Sequence, residues 1–169
     1  MNAEQCAIVQ RLITELDDTH YLYLRLKPLL SHTHARYLLT RMIELHSATA
    51  DDLAQQMRLT GGLAARRGGG AWARLRARAV CWMAISSADS ELACLERIVR
   101  HEDRMAKRFQ AAMAQVSELH QCLDDSLLAT ERTGYRIESL MRLMEASSPG
   151  APRPVAMVAA LPERRRPRT

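Results

Sequence analysis

Four polar residues interrupt the long apolar stripes of this chain, and their types are ones that chemistry uses: His20, His46, Glu102 and Glu131. On the first stripe the step from Leu16 to Tyr23 passes through His20. On the second, Met42 to Leu53 passes through His46 and Thr49. On the third, Val99 to Phe109 passes through Glu102, and on the fourth Leu127 to Ile137 passes through Thr130 and Gly134, with Glu131 alongside. Each interruption falls near the midpoint of its stripe. In an antiparallel helical bundle the midpoints share one height, so these residues are expected to meet at one level of the core. A buried carboxylate is costly unless it is paired, hydrogen-bonded or bound to metal. Two imidazoles with a carboxylate suit a transition metal such as iron, with coordination positions left open. The same residues also suit plain structural packing, for instance a His20–Glu102 ion pair, and the sequence favours that second reading.

Other chemistry-bearing residues read more simply. His32-Thr33-His34 lies at a helix start and is expected in an exposed loop or first turn. Asp17-Asp18, Asp51-Asp52 and Asp124-Asp125 read as solvated helix faces. Met42, Met57, Met105, Met113, Met141 and Met144 have helical spacing and suit core filling. Cys6, Cys81, Cys94 and Cys122 form no CxxC pair, which argues against a locally spaced zinc site and for small core hydrophobes. No Ser-His-Asp order or dinucleotide fingerprint occurs, and Gly68-Gly69-Gly70 lacks the Lys-Ser/Thr of a phosphate loop.

The elements that must position these residues are helices. The chain of 169 residues is 47% apolar but only 4% aromatic, rich in Ala, Leu, Arg, Met and Glu and poor in strand-favouring residues. That predicts an all-α domain over 1–146, with helices over about 3–27, 32–60, 71–85, 90–116 and 117–145. Ile8, Leu12, Leu16, Tyr23 and Leu26 form the first stripe and Pro28 ends it. Ser31 is the expected N-cap of the second helix, with Leu38, Met42, Leu45, Leu53 and Met57 on its stripe and Gly61-Gly62 as its stop. A glycine-rich connector over 61–70 leads to a short helix carrying Trp72, Leu75, Ala79 and Trp82. Ser86-Ser87-Ala88-Asp89 reads as a break with capping residues. Leu92, Leu95, Val99, Phe109, Met113 and Val116 mark the third long helix, and Leu119, Leu123, Leu127, Ile137, Met141 and Met144 the fourth. Packed antiparallel, these make an up-down four-helix bundle with the short helix in the crossover.

The formal net charge is +5, but Arg66, Arg67, Arg74, Arg76 and Arg78 surround the connector and Arg164, Arg165, Arg166 and Arg168 sit near the end. The positive charge is therefore peripheral, and no aromatic interleaving accompanies it. Residues 147–169 hold five of the six prolines and are expected to be disordered. No apolar run reaches 18 residues and the start carries a Glu where a signal peptide has positive charge, so a soluble cytoplasmic protein without a membrane span is expected.

The order of features is similar to the bacterial ferritin-like family of unknown function, domain of unknown function 2383, over residues 5 to 145. The resemblance rests on a polar residue followed by Tyr23 in the first helix, RLTGG closing the second, GGAWARLRARAV after the connector, and the acidic pair in HEDRMAKRF. It implies a ferritin-like four-helix bundle. Ferritin-like relatives in general hold two metals with carboxylates and a Glu-x-x-His motif on each of two helices. Here Ser47 stands three residues after Glu44 and Gly134 three after Glu131, so neither motif exists. Glu102 maps onto the relevant positions, and His20, Glu44 and Glu131 map less securely.

Three function classes remain. The first is a non-enzymatic helical bundle, stress-related or scaffolding, acting through self-association, with no cofactor. The second is iron or manganese binding or oxidation at a reduced site of His20, His46, Glu102 and Glu131, with Glu44 a weaker member. The third is weak polyanion binding, nucleic acid included, through Arg66, Arg67, Arg164, Arg165 and Arg166.

Overall fold

Long runs of helix-favouring residues with few β-branched or aromatic side chains leave the chain little alternative to helix. The computed structural model describes residues 1–65, 70–87 and 89–147, with Trp72 described in its backbone alone, and contains five α-helices and no strand among them. These are α1 (Ala3–Leu26), α2 (Thr33–Leu59), α3 (Ala71–Ile85), α4 (Ser90–Gln115) and α5 (His120–Ser147). The expected disordered tail lies outside the described residues, apart from Ser147, which ends α5. Arg66, Arg67, Arg164, Arg165 and Arg166 lie outside them as well.

The helix ends follow from local chemistry. Asn2 and Gln5 form a capping box at the start of α1, each side chain accepting from the other's backbone N–H at 2.8 Å, which satisfies two otherwise orphaned donors. Pro28 sits in a short 3-10 turn, Lys27–Leu29, directly after α1. The N-cap of α2 is His32 rather than Ser31: its Nδ1 accepts from the His34 N–H at 3.2 Å. At the other end, Gly61 takes φ +81° and Gly62 N–H donates to the Met57 carbonyl at 2.9 Å. This is a Schellman stop, which requires a left-handed residue that glycine adopts without penalty. Asp89 caps α4 through the Leu92 N–H at 3.0 Å. The turn before α5 needs no glycine. Val116 goes extended and buried, and a 3-10 turn, Ser117–Leu119, follows.

The core divides into two apolar clusters. One gathers Tyr23 and Leu26 of α1, Leu38 and Met42 of α2, Leu95 and Ile98 of α4 and Ile137 of α5. The other gathers Leu12 and Leu16 of α1, Leu53 and Met57 of α2, Met105 and Phe109 of α4 and Leu123 of α5. Chain direction follows from these memberships. Helix α1 runs opposite to α2 and to α4, α5 runs opposite to both, and α2 and α4 run the same way. The packed pairs α1–α2, α2–α5, α4–α5 and α1–α4 are therefore all antiparallel. The connection from α2 to α4 must return the chain along the length of the molecule, so a simple up-down order is replaced by one with a long crossover.

Helix α3 belongs to that crossover, and it packs against α1 and α4. Its inward side is made of small residues, Ala73, Ala77 and Ala84, all buried. Leu75 and Trp82 are instead exposed, at 57% and 72% of their surface, as are Met83 and Ile85. Small side chains let a helix approach closely, and the larger ones are left outside. Among the described residues no helix is long and apolar enough to cross a membrane.

Candidate functional site

Between the two apolar clusters lies a polar layer drawn from all four long helices. His46, Thr49, Glu102 and Thr130 are each at most 2% exposed, and Thr19 and Ser126 are buried with them. Three to four residues per turn bring each of them onto the inward face of its own helix at this height.

Glu102 is the centre of the layer. Tyr23 on α1 donates its hydroxyl to Oε1, and Nε2 of His46 on α2 lies 3.1 Å from Oε2. Burial, reinforced by the Glu102 charge and hydrogen bond, pushes the Tyr23 phenol well above its ordinary range, so it stays protonated and donating. A carboxylate oxygen accepts, so this contact is a hydrogen bond in the tautomer in which His46 presents Nε2–H to it. The Tyr23 and His46 rings stack with centroids 5.7 Å apart, which fixes both donors. Glu102 thus accepts one hydrogen bond at each oxygen from the protein itself, and solvent has almost no access to either donor.

A second set flanks this centre. His101 packs edge-on to Tyr23 at 5.9 Å, and its Nε2 lies 2.8 Å from Thr19 Oγ1. The Thr19 hydroxyl donates to the Glu15 carbonyl at 2.7 Å, so it accepts from His101 Nε2–H. Burial pushes the His101 imidazole down to about 4; Glu102 opposes that, while His46, Arg104 and Arg108 add to it. It is neutral at pH 7. On the far side, the hydroxyls of Thr49 and Ser126 lie 2.8 Å apart. Nδ1 of His20, Nδ1 of His46 and Oγ1 of Thr130 are buried without a hydrogen-bond partner among the described residues.

The residues singled out in the sequence part company here. His46 and Glu102 come into direct contact. His20 is half-buried and has no hydrogen bond to Glu102 among the described residues; Tyr23 and His46 hold that carboxylate instead of the His20–Glu102 ion pair that the sequence also allowed. Glu131 is exposed; it reaches Glu102 only as a neighbour on the wall of a small groove that Thr130 and Gly134 also line. Glu44 points to solvent and pairs with Arg41 at 2.7 Å. His32 and His34 are exposed at the start of α2. Tyr23, His101, Thr19 and Ser126 were not legible as members of the layer. A tyrosine on an apolar stripe reads as core, and His101 differs from its neighbour Glu102 by one helical step.

The donors that the described residues bring together are fewer than the ferritin-like resemblance implies for a metal. Among the described residues no three of His, Cys, Asp and Glu group as ligands, and Glu102 and His46 already engage one another. The cysteines offer no alternative. All four are free, and burial holds the thiols of Cys94 and Cys122 up at about 12 and about 11, far from thiolate chemistry at neutral pH. The layer is chemically suited to specifying which helices meet at which height, since each buried polar group has few acceptable partners. No family model, curated protein or solved structure matches the chain.

Proposed function

We propose that this protein is a non-enzymatic, cytoplasmic helical bundle of ferritin-like type that works as a stress-related or scaffolding protein through self-association. The observation that carries the reading is the outward face of α3, where Leu75, Trp82, Met83 and Ile85 stand exposed on one short helix. Large exposed apolar side chains gathered together mark interaction surfaces. Every copy carries the same face, so a two-fold pairing buries each strip against its twin. The ferritin-like part is supported by the single long crossover between parallel second and third long helices, the connectivity of that class.

Light scattering after size exclusion tests the proposal. The full chain is expected to run as a dimer or larger at micromolar concentration, and Trp82→Ser with Leu75→Ser to run as a monomer of unchanged helicity. A wild-type chain that stays monomeric up to about 100 μM, a range spanning ordinary self-association affinities, contradicts it.

Iron or manganese binding at mid-height is the second reading. The buried Nδ1 atoms of His20 and His46, which have no hydrogen-bond partner among the described residues, are the observation in its favour. The engagement of Glu102 by Tyr23 and His46 weighs against it.

A further inference from the structure

The charge of this protein has a second concentration that the polar layer does not use. Arg97, Arg100, Arg104 and Arg108 recur at steps of three, four and four along α4, which puts them on one side of that helix. Helix α3 sets Arg76 against them. These five guanidinium groups, with His101, line a cavity of about 530 Å³ between α1, α3 and α4. Leu22 and Leu26 of α1, Val80 of α3 and Met105 of α4 complete its wall, and among the described residues no carboxylate lines it. Two of the arginines have counter-charges at its edge: Arg100 with Glu96 at 3.2 Å and Arg108 with Glu15. Asp18 joins Glu15 in a smaller adjoining cavity of about 200 Å³. Arg76 and Arg104 have no ion pair among the described residues, and Nε of Arg97 is buried there without an acceptor.

Five like charges around one concavity repel one another, and an anion among them relieves that repulsion. Guanidinium forks match the paired oxygens of phosphoryl groups. The rise from Arg97 to Arg108, about 16 Å at 1.5 Å per residue, is longer than one phosphate needs. The cavity volume falls within the range of small-molecule sites, which combine apolar wall with a few directed polar groups.

We propose that this cleft binds a small molecule of nucleotide size bearing a chain of phosphoryl groups. The phosphoryl groups engage Arg76, Arg97, Arg100, Arg104 and Arg108, and the ring system lies against Val80 and the edge of Leu22. The proposal is independent of self-association through α3, whose apolar strip is a different set of residues.

Isothermal titration of the full chain with ATP, inorganic triphosphate and a short single-stranded oligonucleotide tests it. ATP is expected to bind one to one and more tightly than triphosphate. Arg76→Gln with Arg104→Gln is expected to weaken ATP binding by about tenfold or more, or about 1.4 kcal/mol, with the circular dichroism unchanged because both side chains are exposed. Neutralising Arg164, Arg165 and Arg166 to Gln should leave the ATP affinity as it was. Absence of ATP binding at millimolar concentration overturns the site. So does binding indifferent to the Arg76/Arg104 pair, or binding lost with the Arg164–Arg166 changes. Triphosphate binding as tightly as ATP overturns the role of the apolar wall, and tighter oligonucleotide binding overturns the small-molecule assignment.

Discussion

Tyr23, Glu102 and His46 act as one unit, because each is buried and each satisfies another. Removing the Tyr23 hydroxyl leaves a buried carboxylate short of a donor, and hydrogen bonds to charged groups are worth about 1.5–3 kcal/mol. Tyr23→Phe is expected to lower the unfolding free energy by about that amount in urea denaturation. Glu102→Ala, which orphans both donors and opens a void, is expected to cost about 2–4 kcal/mol, and Glu102→Gln less than Glu102→Ala. A neutral Tyr23→Phe contradicts the network. His101 makes a pH-dependent prediction. Its folded value, about 4, lies below its unfolded value of about 6.5, so the unfolded chain binds the extra proton between those pH values. Stability is therefore full above about pH 6.5 and falls as the pH drops toward 4. His101→Gln is expected to flatten that part of the urea midpoint curve against pH; an unchanged slope would mean His101 does not titrate in this way.

At the scale of the element, α3 shows where sequence periodicity runs out. Pro28, Gly61-Gly62 and Asp89 carry specific backbone chemistry and marked their helix boundaries, whereas the His32 cap of α2 and the turn before α5 carry no such signal. The inward face of α3 was not legible either. Its large apolar residues, Leu75 and Trp82, advertise a core face, yet the helix docks through Ala73, Ala77 and Ala84. Close approach, which periodicity does not encode, selected the small side. Ala77→Leu is therefore expected to destabilise the protein by about 1–3 kcal/mol through overpacking. Leu75→Ser on the exposed side is expected to change it by less than about 0.5 kcal/mol at dilutions where the chain is monomeric. Thermal unfolding of the two variants decides the orientation, and the reverse ranking would refute it.

At the scale of the whole molecule, the helical class and a polar level at mid-height could be read from four interrupted stripes. The membership of that level could not. Glu102 and His46 could be placed because each interrupts an apolar stripe at mid-height, although the same pattern also suits a carboxylate at the stripe's edge or a structurally packed histidine. His20, half-buried, and Glu131, exposed, interrupt their stripes equally well but sit a fraction of a turn off the bundle axis, a rotation that a one-dimensional pattern does not resolve. The basic face of α4 went unseen for another reason. Its arginines are interspersed with Glu96, Glu102 and Asp103 in sequence, and only the fold, by adding Arg76 from the crossover, turns them into one concavity. The polar centre is either a folding element or a metal site. Metal content of the full chain, purified without chelator and again after anaerobic addition of iron or manganese followed by air, tests this most directly. The reading as a folding element predicts far less than one metal per chain and no iron-oxo absorption; one metal per chain that is lost on Glu102→Ala would contradict it.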